Sequence, residues 1–417
     1  MNNFWIILFH TYLNKLKSKS FIVMTILSVV IVLALTNINN IINLFDKNGG
    51  KDKIAVLDET GQLYEPFKQQ LNTINKKIIL TQYKGSEKEA EAAVEKGKFD
   101  AVIQLGLNEQ QMPIATSKAM SIADTELFSD LERGLQQLKT MMTASKINLT
   151  PQQLQKLYEP VSFKKIALEK NAKTEEQLNQ ARGLVYILLF VIYFSVIMYA
   201  NMIAMEVATE KSSRVMEILI SSVSPIKQMF AKILGIGLLS LTQLAVFLLT
   251  GYYSLKSNMD ALKGGLFGVF GLGDIPVATI IYAVIFFILG YFLYATLAAF
   301  LGSLVSRIED IQQMITPMTM LVVAGFMIAM FGLGKPDSTF ITVTSYIPFF
   351  TPMIMFLRVG MLTIPLWEVL IGIGILLTTI IILAIFGARV YRGGVLMYGK
   401  SNSYKDIKKA LQLTKNQ

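Results

Sequence analysis

Long stretches of the chain carry no charged side chain, and their lengths set the first constraint on structure. A helix needs roughly 20 apolar residues to cross a hydrocarbon core of about 30 Å. Residues 21–45, 183–205, 233–255, 275–306, 311–334 and 369–388 each run without Asp, Glu, Lys or Arg, and the pattern predicts six spans. A seventh charge-free run, 338–357, is interrupted by Pro348 and Pro352. Each proline removes a backbone donor where lipid offers no replacement. The run is therefore predicted as two short helices that dip into the membrane from one side and pack against protein. The alternative, one kinked span, would put the two termini on opposite sides.

Ahead of the first span, Trp5, Phe9, Leu13 and Leu16 share one face of a helical wheel, opposite Asn3, His10, Asn14 and Lys17. That predicts a helix over 1–19 lying in the membrane interface, neither signal peptide nor span, with His10 on its polar face. Between the first two spans the period changes. Residues 53–58, 77–83 and 99–105 read as strands, with helices over 61–74 and 86–97 between them and Ser86 as a cap. This predicts a small α/β unit. From 121 to 181 the pattern turns helical, broken by Pro151 and Pro160, as a stalk into the second span would.

The fold class is thus an α-helical polytopic membrane protein, six spans plus a re-entrant helix pair, with an inserted α/β extracytoplasmic domain. The predicted organisation is an interfacial helix 1–19, a first transmembrane helix 20–45 and an outer domain with stalk 46–182. A five-span bundle 183–388 follows, containing a cytoplasmic segment 206–232 and the re-entrant run 338–357. A basic tail 389–417 ends the chain.

Composition agrees: 53% of the 417 residues are apolar and 16% charged, against about 25% charged in soluble domains. The net charge of +10 could suggest nucleic acid, but its distribution says otherwise. With the N-terminus inside, the inner segments 1–19, 206–232, 307–310 and 389–417 sum to +9, the outer domain to +1 and the short outer loops to zero. The excess is a positive-inside signal of a multi-pass plasma-membrane protein with both termini cytoplasmic. Lys405, Lys408 and Lys409 of the tail suit anionic lipid headgroups, not nucleic acid.

Zero cysteines exclude disulfides, thiolate nucleophiles and cysteine–metal sites, and a single histidine argues against histidine-based chemistry. The acids of the outer domain alternate with lysine as solvated helix faces do. No catalytic residues, metal ligands or cofactor-binding residues are predicted on this chain. One decoy needs dismissal. Gly394 to Ser401 (GVLMYGKS) matches the phosphate-binding loop pattern, but it leaves the last span, and only 16 residues follow it. That is too few for the sheet such a loop requires.

The strongest local signal is the segment after the second span, EVATEKSSRVMEILISSVSP, residues 206–225. Glu206, Glu210, Arg214 and Glu217 recur at spacings of four, four and three, on one helical face. Glu210–Arg214 and Arg214–Glu217 are then expected ion pairs, and Pro225 is expected to end the helix. A plain solvated loop helix would read the same way. The segment resembles the signature loop of ABC-2-type transporter permeases, in particular the sodium-extrusion (NatB-like) branch. The order of interfacial helix, first span, large outer domain and five further spans with a broken pair before the last is similar too.

The resemblance implies that the chain is the permease of an ATP-driven exporter, itself not an enzyme. ATP and magnesium would be held by a separate pair of ABC ATPase subunits, and a second permease copy or related permease would complete the pathway. It implies coupling to the ATPase through Glu206, Glu210, Arg214, Glu217 and Pro225. It also implies an outer gate at 346–352, with Tyr346, Pro348, Phe349, Phe350 and Pro352. Small residues at Ala295, Ala298, Ala299 and Gly302 allow close helix approach. The implied substrate is sodium, although an uncharged aromatic path suits an amphipathic drug, peptide or lipid equally. Two alternatives stand beside this one. An ion-coupled carrier without ATPase ordinarily needs charged groups in its spans, and polar candidates are limited to groups such as Ser195, Asn201, Thr242 and Gln243. A membrane-anchored sensor or scaffold needs far fewer spans.

Overall fold

The computed structural model describes residues 3–37, 51–121, 125–146, 175–213, 216, 222–257, 277–395, 397 and 406–415. They fall into two compact units, one formed by 39–164 and the other by 1–38 with 165–417.

The membrane unit starts with α1 (Asn3–Leu16) and α2 (Lys19–Thr36), bent by 57° at the break between them. Leu8 and Thr11 are buried, while Trp5, Phe9 and Leu13 are exposed. His10 sits outward, its Nε2 3.0 Å from the Asn14 amide.

The α/β unit follows, with β1 (Asp52–Asp58), α3 (Tyr64–Ile74), β2 (Ile78–Gln82), α4 (Glu87–Glu95), β3 (Ala101–Leu107), β4 (Pro113–Ala119) and α5 (Thr125–Lys146). The sheet order is β2-β1-β3-β4, with β1 parallel to β2 and β3, and β4 antiparallel to β3. Helical crossovers bring strands back parallel. Alternation along β1 sends Ile54 and Val56 to a core shared with Phe67, Leu71, Leu127, Leu131 and Leu138. Ala55 goes to a smaller core with Ala90, Val94 and Phe99. So α3 and α5 cover one face and α4 the other. Ser86 caps α4 in a capping box with Glu89.

Two acid–base features lie in this unit. Burial opposes ionisation of Asp58, yet hydrogen bonds from the Thr60 hydroxyl and the backbone N–H groups of Tyr64, Thr60 and Leu63 hold its carboxyl below the ordinary value. Lys118 of β4 donates to Glu87 (2.6 Å) and Glu91 (2.5 Å), which raises its pKa.

The remaining helices are α6 (Glu175–Ser212), α7 (Pro225–Ser257), α8 (Val277–Leu304), α9 (Ile311–Gly332), α10 (Thr339–Thr344), α11 (Thr351–Met361), α12 (Leu366–Gly394) and α13 (Asp406–Lys415). Among the described residues five helices are long and apolar enough to cross a membrane, and the bent α1–α2 pair makes a sixth span if counted as one. The predicted re-entrant pair is α10 and α11, six and eleven residues long. Pro352 lies in the first turn of α11, where its missing N–H costs nothing.

The bundle closes through small residues. A Cβ on Gly302 of α8 would stand 2.7 Å from the Ala204 carbonyl oxygen of α6, so the two backbones touch there. Gly235 of α7 likewise meets the Leu8 carbonyl of α1. Ala295, Ala298 and Ala299 are buried. Of the polar groups weighed for a carrier, Gln243 accepts from Thr25 (2.6 Å) and donates to Ser28 (2.8 Å), joining α7 to α2. Asn201 donates to the Ile197 carbonyl, and Thr242 to that of Leu238.

Candidate functional site: the charged end of the second span and the re-entrant pair

The second span does not stop at its last apolar residue. α6 continues through Met205 to Ser212, placing Glu206, Glu210 and Lys211 on rigid helix, and α7 begins at Pro225 before its apolar run. Charged groups can continue a helix here because partners from other helices receive them. Glu206 pairs with Lys15 of α1, and Glu210 with Lys232 of α7, whose side chain is 3% exposed.

Two expectations bear on this geometry. Glu210 turns to Lys232 across the bundle, where a buried ammonium demands a counter-charge; the expected pairs of Arg214 with Glu210 and Glu217 involve Arg214 and Glu217, which lie outside the described residues. Helical backbone at 222 gives way to a break at 223–224, and Pro225 then opens α7, where the first helical position needs no N–H donor.

Lys211 was missed by sequence reasoning. It is 1% exposed, and its ammonium donates to the Ser303 carbonyl at 2.6 Å and the Gly394 carbonyl at 2.7 Å. Ser303 and Gly394 lie at the C-terminal ends of α8 and α12, where carbonyls lack helical partners and the dipole favours a cation. One side chain thus binds three spans. Its signal in the sequence, a lysine beside two glutamates, is indistinguishable from a surface charge. Gly394, the first glycine of the apparent phosphate loop, ends α12 and gives its carbonyl to Lys211; Gly399 to Ser401 lie outside the described residues.

At the re-entrant pair the five aromatic and proline positions of 346–352 are set against the bundle. The Tyr294 hydroxyl of α8 donates to the Phe349 carbonyl at 2.6 Å, and the two rings sit 6.3 Å apart. A Cβ on Gly325 of α9 would meet Phe350, and one on Gly290 of α8 would meet Pro352 at 2.9 Å. Pro348 and Tyr346 are half-buried. Arg358 is buried in α11. It donates to Ser345 Oγ (3.0 Å) and to Glu368 Oε2 (2.7 Å). Tyr346 completes the cluster, its hydroxyl 3.2 Å from the same Glu368 oxygen and its ring beneath the guanidinium. Among the described residues no cluster of three or more His, Cys, Asp or Glu side chains could hold a metal.

Comparison with known proteins agrees with this layout. A family model described as ABC-2 family transporter protein matches residues 19–389. The chain is 56% identical over 419 residues to the uncharacterized protein YhaP of Bacillus subtilis, covering all of both chains. It is 26% identical over 403 residues to the uncharacterized protein MJ1024 of Methanocaldococcus jannaschii, covering 96% of this chain and 94% of that one. No solved structure matches. The chain belongs to the ABC-2 transporter family: it is a membrane-embedded protein of the permease type, in a family associated with partner ATPases.

Proposed function

We propose that this chain is the permease subunit of an ATP-driven exporter whose coupling site is the inner end of α6 with the 213–225 segment. The observation that carries the reading is the partly buried charge cluster at that end. Lys15, Glu206, Glu210, Lys211 and Lys232 tie α6 to α1, α7, α8 and α12. A push on this segment by a partner reaches four other helices through charged contacts that resist shear. Glu206, Glu210, Arg214, Glu217 and Pro225 are the coupling residues on this reading. ATP is hydrolysed by a separate pair of ATPase subunits, and two permeases, identical or related, enclose the path. Both termini and the coupling segment face the cytoplasm, domain 46–182 faces outward, and the basic tail lies against anionic lipid.

Tyr346, Pro348, Phe349, Phe350 and Pro352 form the outer gate, closed by packing on α8 and α9. The substrate is sodium, as in the NatB-like branch that the signature segment resembles, or an amphipathic molecule of similar path requirements. Gln243 is engaged in helix packing, which speaks against a carrier built on it. The test is reconstitution with candidate ATPases and measurement of hydrolysis stimulated by sodium or by an amphipathic cation. Glu210→Ala is expected to abolish the stimulation while leaving the ATPase's own turnover intact. Unchanged stimulation would remove Glu210 from the coupling route, and sodium flux indifferent to ATP would favour the carrier.

A further inference from the structure

The proposed gate has a fastening of its own. Arg358 stands in the last turn of α11 and Glu368 in the first turn of α12, and their side chains meet at 2.7 Å. Ser345 and Tyr346, in the turn after α10, hold the same two groups from the other side. The cluster therefore ties together three consecutive pieces: the turn carrying Phe349 and Phe350, the second re-entrant helix, and the start of the last span. If the Arg358–Glu368 contact parts, the turn loses its tether to α12 and keeps only its packing on α8 and α9.

We propose that Arg358 and Glu368, with Tyr346, form a releasable latch that holds the re-entrant turn shut, and that outward opening requires this ion pair to break. The inference rests on reading 346–352 as the gate. Two features favour a latch over a permanent staple. Arg358 Nε is buried with no hydrogen-bond partner among the described residues, so the closed state leaves a donor of the guanidinium unsatisfied. Each charge also has a second place to rest. The Glu368 carboxylate lies in the first turn of α12 and the Arg358 guanidinium in the last turn of α11, where the respective helix ends favour each sign. Separating the pair leaves neither charge wholly unpartnered, whereas an ordinary buried pair pays heavily for parting.

The chain's lack of cysteine gives a clean test. Thr351 is fully buried at the start of α11, and Thr363, between α11 and α12, is exposed. Thr351→Cys and, as a control, Thr363→Cys would be introduced singly and labelled in intact host cells with a membrane-impermeant maleimide. The control is expected to label at once, and Thr351→Cys slowly. Adding Glu368→Gln is expected to speed labelling of Thr351→Cys about tenfold or more. Tyr346→Phe, which removes one hydroxyl and keeps the charges, is expected to have a smaller effect in the same direction, and it covers the case in which Glu368→Gln fails to fold. Labelling unchanged in both variants overturns the latch. The gate reading is tested apart, with the latch intact. If Thr351→Cys labels equally in energised and ATP-depleted cells, the gate assignment fails whether or not the latch variants respond.

Discussion

Lys211 joins α6 to two other helices through their terminal carbonyls. Two helix ends share one ammonium. Lys211→Met leaves both carbonyls without it, and the expected cost is about 1–3 kcal/mol of stability, seen as a lower unfolding temperature in detergent. Lys211→Arg is not expected to rescue, since a planar fork does not fit a site shaped for a compact ammonium. At Asp58 the folded protein holds the carboxyl below its unfolded value of 3.8. Its contribution is thus complete above that value and lost as pH falls through the lower, folded one. Hydrogen-exchange protection over residues 58–74 of the full-length protein, relative to the intrinsic rate at each pH, is expected to hold from neutrality to about pH 4 and to fall below. Asp58→Asn is expected to cost about 1 kcal/mol at neutral pH and to blunt that acid-side change.

Among the elements, α6 and α8 depend on backbone contact at Gly302. Gly302→Val drives a branched side chain into the Ala204 backbone, for an expected loss of about 1–3 kcal/mol. Gly251→Ala in α7, where a Cβ would meet nothing within 4 Å, is expected to be neutral or slightly stabilising; comparing the two unfolding temperatures checks both. The spans were legible because lipid forbids charge, so a charge-free run betrays its own length. Their ends were not legible. α6 and α12 run past the apolar segments on charges whose partners are far away in sequence, and no local rule finds Lys232 for Glu210 or Glu368 for Arg358. Strand β4 was missed for another reason: its one large apolar residue, Ile114, faces outward, while Ala115 and Ala119 pack inward and give no hydrophobic signal. The gate and coupling readings of 346–352 and 206–225 rest on resemblance. Their contacts, including the whole role of Lys211, needed the fold.

At the scale of the whole molecule, the two units obey different rules. The α/β unit is held by alternating strand faces and a capping box, and would be recognisable in water. The membrane unit is held by glycine contacts and by a few charges placed where helices end. Its longest member, α6, is one unbroken helix of 38 residues. At 1.5 Å per residue that is a rod of about 57 Å, nearly twice a hydrocarbon core of about 30 Å. A rod of that length is a lever. Tilting it by about 10° around the end that bears Glu206, Glu210 and Lys211 carries the far end sideways by about 10 Å, roughly the diameter of a helix. A small rotation at that end is therefore a displacement of about one helix width at the other.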